Sequence, residues 1–381
     1  MLFSSTPKWR ISPVNRWTKA ALLLSALVSI ATISLLRLVP PDPNRSSAHM
    51  MLQAARAMQK ATELIGAECK KRGVLDVEID PNRTGFIGPE DAGLTTTLGH
   101  LDAKRTTTNP DMAGLIVRLL LDVGVTEGDT IAIGSSASFP ALMVASVLAA
   151  KALKVHPVII ISLGSSSFGA THPDFHLLDM YQLLLAHGLF SVPPAAVSLG
   201  GGGDVGKGFD PDIRRHLIHD IEASGIPCLT ESGLEHIVKE RLEVYLGNPP
   251  SRRIAAFINA GGSFANLGTS SLVLKVRPGL NQPATISLPP NHKMGMIFAM
   301  ARENIPVIHL LYIKGLVSEH GLPWDPVPLP VPGSAEAYRI KSHPSTFYWI
   351  VLGCYVVIIG LLLGFTIRKT RYNLQYHDEK P

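Results

Sequence analysis

Five short loops rich in serine and glycine are the part of this 381-residue chain best suited to chemistry. Each follows a predicted strand. They are Gly134–Ser138, Gly164–His172, Gly200–Asp204, Thr230–Ser232 and Asn259–Ser263. Free backbone N–H groups in such turns and at helix N-termini attract anions. We therefore expect a shared anion-binding crevice where the loops meet; the alternative is that they are connectors without a ligand.

The expected ligand-binding residues combine hydroxyl, amide and backbone donors with one cation. They are Ser135, Ser136, Ser165, Ser166, Ser167, Gly201, Gly202, Gly203, Lys207, Asn259, Gly261 and Gly262. The stretch from Gly201 to Gly208 has the spacing G-x-x-x-x-G-K of a phosphate-binding loop. Gly208 stands where that motif needs a metal-binding Ser or Thr. A glycine-rich turn with Lys207 offering charge is the better interpretation, and we expect no nucleotide and no cofactor.

Ser167 is the candidate nucleophile, because Ser165–Gly169 follows a strand and precedes a predicted helix, as in a nucleophile elbow. The match is incomplete, since Ser165 replaces the first glycine. A serine nucleophile also needs a positioned base. His172 is the candidate nearest in sequence, and His309 and His320 fit the usual chain order. Three adjacent serines suit hydrogen-bond donors to a ligand better than a nucleophile.

A metal site is the weaker interpretation of the segment that follows. His172 and His176 are four residues apart in a predicted helix, and with Asp174 or Asp179 they could hold a metal. The same residues are also suited to satisfying backbone donors at a helix start. We therefore predict no metal.

The elements that must position these loops alternate between strand and helix. The predicted strands are 130–133, 156–162, 195–199, 226–229, 253–259 and 306–311. The predicted helices are 46–72, 109–123, 139–153, 173–187, 210–224, 234–246 and 291–303. Continuous apolar strands alternating with helices indicate a mostly parallel sheet covered on both faces. We predict an α/β, doubly wound, Rossmann-like domain over residues 109–321, preceded by a linker, a helix and an irregular segment over 40–108.

Two apolar segments, 20–39 and 347–367, bracket that domain, and each is long enough to cross a bilayer. Basic residues lie outside both: Lys8, Arg10, Arg16 and Lys19 before the first, and Arg368, Lys369 and Arg371 after the second. The positive-inside rule then places residues 1–19 and 368–381 in the cytoplasm. The domain and a Pro-rich tether, 322–346, would lie outside it, in a two-pass protein of the cytoplasmic membrane. A cleaved signal peptide is the alternative for the first segment.

The composition is compatible with a membrane-anchored protein and excludes few other classes. Charged residues are 17%, and the net charge of +5 comes largely from the two ends, so it does not indicate nucleic-acid binding. Of the three cysteines, Cys69 and Cys228 lie between the two apolar segments. They either pair in an oxidising compartment or remain free thiols.

Three of these loop stretches resemble those of a known protein family, and the resemblance implies a biosynthetic pathway. The stretches 134–140, 162–171 and 199–203 look like those of the bacterial poly-γ-glutamate system protein family. The similarity extends from the first apolar segment to about Leu311. It implies an accessory protein of poly-γ-glutamate capsule or exopolymer synthesis or export, with the polymer or the synthase and export proteins as partners. The family supplies no catalytic residues. A serine-dependent hydrolase or transferase acting on the polymer, and a solute-binding domain for another anion, are the alternatives.

Overall fold

The structure is a computed structural model that describes residues 16–37, 43–247, 253–335, 338 and 346–378. The chain divides into two compact units. One comprises residues 46–340, and the other comprises the two ends, 1–45 and 341–381. Each unit is described separately below.

A six-stranded sheet organises the larger unit. The strands of the whole unit are β1 Thr95–Thr97, β2 Thr130–Ser136, β3 His156–Ser162, β4 Ser165–Ser166, β5 Ala196–Ser198, β6 Ile254–Ala260, β7 Gly279–Asn281 and β8 Val307–His309. The main sheet has the order β5-β3-β2-β6-β8-β7, and only β7 runs antiparallel to its neighbour. The prediction of a mixed α/β domain with a mostly parallel sheet is therefore confirmed.

Helices cover both faces of the sheet, as shown by the burial of successive residues of a strand in two different hydrophobic cores. Ile131 and Ile133 of β2 face one core, which also contains the helix after β2. Ala132 faces a second core with residues 234–246 and 296–301. Side chains of a strand alternate between faces, so a continuous apolar strand needs cover on both. This explains why the strands lack the alternating polar pattern of a half-exposed sheet.

The helices match most of the predicted segments. They are α1 Arg16–Arg37, α2 Pro43–Arg72, α3 Leu101–Thr107, α4 Asp111–Asp122, α5 Pro140–Ala152, α6 Leu177–Ala186, α7 Pro211–Ser224, α8 Leu234–Leu246, α9 Phe264–Leu267, α10 Met296–Arg302, α11 Ile313–His320 and α12 Thr346–Asp378. Short 3-10 turns occupy Ser271–Lys275, Pro283–Thr285 and Asn291–Lys293. The predicted strand 226–229 forms only an isolated bridge, between Val197 and Cys228. Two backbone hydrogen bonds join it to the sheet edge, from the N–H of Val197 to the carbonyl of Pro227 at 2.9 Å and from the N–H of Leu229 to the carbonyl of Val197 at 2.7 Å.

The segment predicted to be irregular, 74–108, is ordered against the serine-rich loop. Its β1 pairs in parallel with β4, with Thr97 opposite Ser166. The N–H groups of Ser165 and Ser167 donate to carbonyls of Leu94 and Thr97 at 2.9 Å. Pairing across 70 residues of sequence has no local signal, which is why the sequence pattern did not reveal it.

The Pro-rich segment predicted to be a tether contacts the domain over its described residues. Arg105 Nε donates to Asp325 at 2.7 Å. Further along, the N–H groups of Gly333 and Ala335 donate to the buried carboxylate of Asp111 at 2.7 and 3.1 Å. The described part of the segment, up to residue 335, is therefore held against the domain.

The terminal unit contains α1 and α12, which contact each other through Ser29 Oγ and Tyr355 Oη, 3.1 Å apart. Two stretches, Arg16–Leu35 and Trp349–Lys369, are long and apolar enough to cross a membrane. Their apolar side chains are exposed, Leu22 and Leu361 among them. Two exposed apolar helices could thus span a bilayer.

Candidate functional site

Four of the five predicted loops meet at the carboxyl edge of the sheet. A Cβ added to Gly164 would lie 2.5 Å from the backbone nitrogen of Gly201, and one on Gly261 would lie 2.3 Å from Ser136 Oγ. Only glycine permits these approaches. The fifth loop, 230–232, is exposed on the far side of β5. The strand order therefore brings together the loops that follow β2, β3, β5 and β6.

Several of the predicted ligand-binding serines fasten these loops to one another. Ser135 Oγ donates to the carbonyl of Ala260 at 3.1 Å. Ser165 Oγ shares its proton between the carbonyls of Ala137 and Ser166, at 3.0 and 2.9 Å. A hydroxyl has one proton to donate, and here that proton is used within the protein. Ser135 and Ser165 therefore hold the site together.

Three buried polar atoms at this edge have no hydrogen-bond partner among the described residues: Ser136 Oγ at the end of β2, Asn266 Oδ1 in α9 and Arg241 Nε in α8. Ser136 and Asn266 are each only 1% exposed. A Cβ on Gly134 would touch Asn266, and Gly134 and Ser136 point to the same face of β2. A buried polar atom without a partner costs about 1–3 kcal/mol, so such atoms mark places where a ligand can bind.

Asn259 links Asn266 to a buried histidine. Asn266 Nδ2 donates to Asn259 Oδ1 at 2.9 Å, and Asn259 Nδ2 lies 3.0 Å from His309 Nδ1. Burial lowers the pKa of His309 to about 4. The imidazole is therefore neutral near pH 7, with Nδ1 as the acceptor. Asn259, which the sequence predicts to bind a ligand, is the centre of this chain of side chains.

The glycine-rich loop after β5 rests on a buried ion pair that the sequence prediction missed. Arg241 of α8 donates to Asp204, and both side chains are almost fully buried. The guanidinium also donates to Ser162 and Ser198 at 3.1 and 2.9 Å. Asp204 has a positive φ of 64°, as do Gly200, Gly201 and Gly203 with φ near 70°. The ion pair thus fixes a loop whose glycines would otherwise allow many backbone conformations.

A sequence signal for this pair existed. Leu234, Ile237, Val238 and Tyr245 form the buried stripe of α8, and Arg241 falls on the same three-and-four spacing. A charged residue on an apolar stripe needs a buried partner. Lys207, by contrast, is exposed at the loop tip, and Gly202 is exposed beside it.

A second missed residue is Lys104 of α3, which is 2% exposed. Its ammonium donates to the carbonyl of Ser138 and, at 2.7 Å, to Ser166 Oγ, and it lies 3.8 Å from the centre of the Phe139 ring. Burial lowers the pKa of Lys104 to about 7. No local pattern marks it, because α3 lies in the segment predicted to be irregular.

The predicted catalytic pair is not in contact. Ser167 Oγ lies 3.5 Å from the carbonyl of Thr97, and His172 Nδ1 accepts the N–H of Asp174 at 3.2 Å. The elbow prediction is wrong, because α6 begins at Leu177, ten residues after Ser167. The helix predicted over 173–187 is present, but it begins four residues later than predicted, at Leu177, and ends at Ala186.

His176 is the N-cap of α6 and lies 3.1 Å from Asp220 through Nε2. It therefore does not share a helical face with His172. Among the described residues, no three His, Cys, Asp or Glu side chains are grouped so that they could hold a metal. Cys69 is buried and Cys228 exposed, and both are free thiols.

A cleft of about 1030 Å³ opens at the opposite edge of the sheet, lined by Thr130, Ile254 and Pro306 among others. These residues lie where the strands begin. In open α/β sheets ligands bind beyond the carboxyl ends of the strands. The chemistry-bearing residues gather at that carboxyl edge, and the cleft contains none of the predicted site residues.

No protein-family model, curated protein or solved structure matches this chain. The resemblance to poly-γ-glutamate system proteins therefore stays a prediction drawn from the loops, and the geometry of the site must carry the functional argument.

Proposed function

We propose that this chain is a membrane-anchored accessory protein of poly-γ-glutamate synthesis or export. Its α/β domain would bind the polymer, or the proteins that make and export it, at the carboxyl edge of the sheet. The resemblance of the serine- and glycine-rich loops supports the pathway. The two exposed apolar helices, with basic residues at their outer flanks, support a two-pass anchor in the inner membrane with both termini cytoplasmic.

The strand order supports the position of the ligand. Numbered along the chain, the five parallel strands β2, β3, β5, β6 and β8 lie in the order 3-2-1-4-5. Rossmann-like sheets share this order and bind ligands where it reverses, between the first and fourth strands. Here these are β2 and β6, whose ends carry Ser136 and Gly261.

The chemistry of the unpartnered atoms fits the polymer. Each γ-glutamyl repeat presents a carboxylate, which accepts hydrogen bonds, and an amide N–H, which donates one. Ser136 Oγ can donate to the carboxylate, and Asn266 Oδ1 can accept from the amide. The N-terminus of α5, which begins at Pro140 just after the loop, adds a favourable dipole for an anion.

The single observation that carries the proposal is the unpartnered hydroxyl of Ser136. In a site where the neighbouring serines bond to carbonyls, it has a proton left for a ligand. Its loss removes a hydrogen bond to a charged group, about 1.5–3 kcal/mol, or roughly a tenfold or greater loss of affinity.

The test is binding of poly-γ-glutamate to the detergent-solubilised full chain, measured by titration calorimetry. We expect Ser136→Ala to weaken binding at least tenfold without lowering the melting temperature, because it also removes an unsatisfied buried hydroxyl. The matched control is Ser146→Ala. Ser146 is equally buried, but its hydroxyl bonds to Leu142 within α5, at 2.7 Å.

Two outcomes would contradict the polymer as the ligand of this site. One is the absence of polymer binding by the folded wild-type chain. The other is a Ser136→Ala variant that binds as wild type does. Competition by free glutamate as effective as the polymer would favour the solute-binding alternative. Lys207→Glu extends the test to the exposed loop, where we expect binding weaker by about 1–2 kcal/mol if the ammonium attracts carboxylates.

A further inference from the structure

The Lys104–Ser166 pair is a second feature of the carboxyl edge that the proposed function does not use. In the part of the chain that the structure describes, Lys104 has no carboxylate partner: its ammonium contacts a carbonyl, a hydroxyl and an aromatic face. Burying an ammonium without an anion is costly, and an apolar side chain would fill the same place more cheaply. A buried lysine of this kind is characteristic of sites that need a neutral amine.

Hydrogen bonds to its backbone N–H and carbonyl hold Ser166 in position. Its N–H donates to Ser138 Oγ at 3.0 Å, and its carbonyl accepts from Ser165 Oγ at 2.9 Å and from the N–H of Gly169 at 3.1 Å. The β4–β1 pairing fixes it against Thr97. The Oγ of Ser166 is thus fixed in place beside the amine of Lys104, which is the arrangement of an activated nucleophile.

Access to this hydroxyl depends on a glycine. A Cβ on Gly99 would lie 3.2 Å from both Ser166 Oγ and Lys104 Cε, so any side chain there would cover the pair. The neighbouring Leu98 is 90% exposed. The pair therefore lies just beneath the protein surface, under residues 96–100.

We propose that Ser166 is the nucleophile, and Lys104 its general base, of an acyl-transfer reaction on an ester or amide carbonyl. Neutral Lys104 Nζ takes the proton of Ser166 Oγ as the oxygen bonds to the carbonyl carbon. The bond to the leaving alcohol or amine breaks with its electron pair, and that group takes the proton from Lys104. Water or an acceptor amine then gives a proton to Lys104 and attacks the acyl-serine, and Ser166 Oγ recovers the proton.

The low pKa of Lys104, about 7, supports this role because the neutral amine is available near neutral pH. The assignment differs from the elbow hypothesis in both residues: Ser166 replaces Ser167, and a lysine replaces His172. It stands without the polymer-binding proposal, since an esterase or transferase could act on another carbonyl. Simple acyl probes therefore test it independently.

The experiment treats the detergent-solubilised full chain at about pH 8 with a fluorophosphonate and, separately, with p-nitrophenyl acetate. Peptide mass spectrometry then locates the adducts. We expect both reagents to modify Ser166. Ser166→Ala should remove the adduct, whereas Ser146→Ala should react as wild type does.

Lys104→Met and Lys104→Arg test the base. Met has a similar length and no amine, and a guanidinium stays protonated, so both should slow modification of Ser166 at least tenfold. A melting curve establishes that each variant is folded. Unmodified Ser166 in the folded wild type would overturn the proposal, as would acetylation of Lys104 in place of Ser166. These two outcomes need only the wild-type chain, so the test holds even if the variants do not fold.

Discussion

Arg241 and Asp204 form an almost fully buried ion pair that joins α8 to the glycine-rich loop after β5. Ser162 and Ser198, at the ends of two adjacent strands, also accept hydrogen bonds from the Arg241 guanidinium. Breaking a buried pair by removing one partner leaves the other charge unpaired, which costs about 3–5 kcal/mol.

We therefore expect Arg241→Met to lower the free energy of unfolding by about that amount and to speed hydrogen exchange in residues 200–208. Asp204→Asn should recover part of the loss when it is combined with Arg241→Met, because asparagine tolerates the positive φ and carries no charge. Urea denaturation of the solubilised chain measures both. A loss below about 1 kcal/mol in the single variant would mean that the pair does not stabilise the loop.

The carboxylate of Asp111 holds the Pro-rich segment by accepting three hydrogen bonds, from Gly333, Ala335 and, at 2.9 Å, Tyr338 Oη. Asp111→Ala removes all three acceptor contacts. We expect limited proteolysis to cut near residue 333 at least tenfold faster in that variant. Asp122→Ala is the control, since Asp122 is exposed and forms its ion pair, at 3.7 Å, with Arg118 of the same helix. Equal cleavage in the two variants would contradict the role of Asp111.

His309 predicts a pH dependence of stability. Its pKa is lowered from 6.5 to about 4 in the folded chain. The unfolded state therefore binds more protons between these values, and stability falls as pH drops from about 6.5 to 4. At 1.36 kcal/mol per unit, this shift is worth about 3 kcal/mol. His309→Gln should flatten this part of the stability curve, measured by urea denaturation across that pH range. An unchanged slope would assign it to other groups.

The lowered pKa of Lys104 predicts that stability also rises with pH over a second, higher pH range. Its pKa is lowered from 10.5 to about 7, so the unfolded state binds the extra proton between these values. Unfolding free energy should rise as pH increases from about 7 to 10. Lys104→Met should remove the rise, and Lys151→Met, at an exposed lysine of α5, should keep it. A rise that survives Lys104→Met would show that the buried lysine is not its source.

The proposed topology gives a prediction for reporter fusions. Alkaline phosphatase is active only outside the cytoplasm, so a fusion near Gly247 should be active and one after Pro381 inactive. The physical reason is the excess of lysine and arginine outside both apolar segments. Green fluorescent protein at the same positions should give the opposite pattern. Activity at the C-terminus would reverse the proposed orientation.

The sequence alone determined the features that depend on local periodicity. Residues 156–162 and 234–246 have the predicted bounds of β3 and α8, and the alternation of such elements indicated a parallel sheet. Because parallel strands place their carboxyl ends at one edge, the meeting of the loops after β2, β3, β5 and β6 followed from that alternation. Apolar length likewise identified both terminal helices.

Only the tertiary structure decided what each side chain at that edge does. Ser135, Ser136 and Ser166 lie in similar stretches of small residues, yet one bonds to a carbonyl, one is unpartnered and one meets Lys104. The partners come from β6 and α3, distant in sequence, so no spacing rule could assign them. A hydroxyl's role depends on the acceptor or base that the fold brings within 3 Å of it, and that is set by strand order and by the packing of the segment before β2.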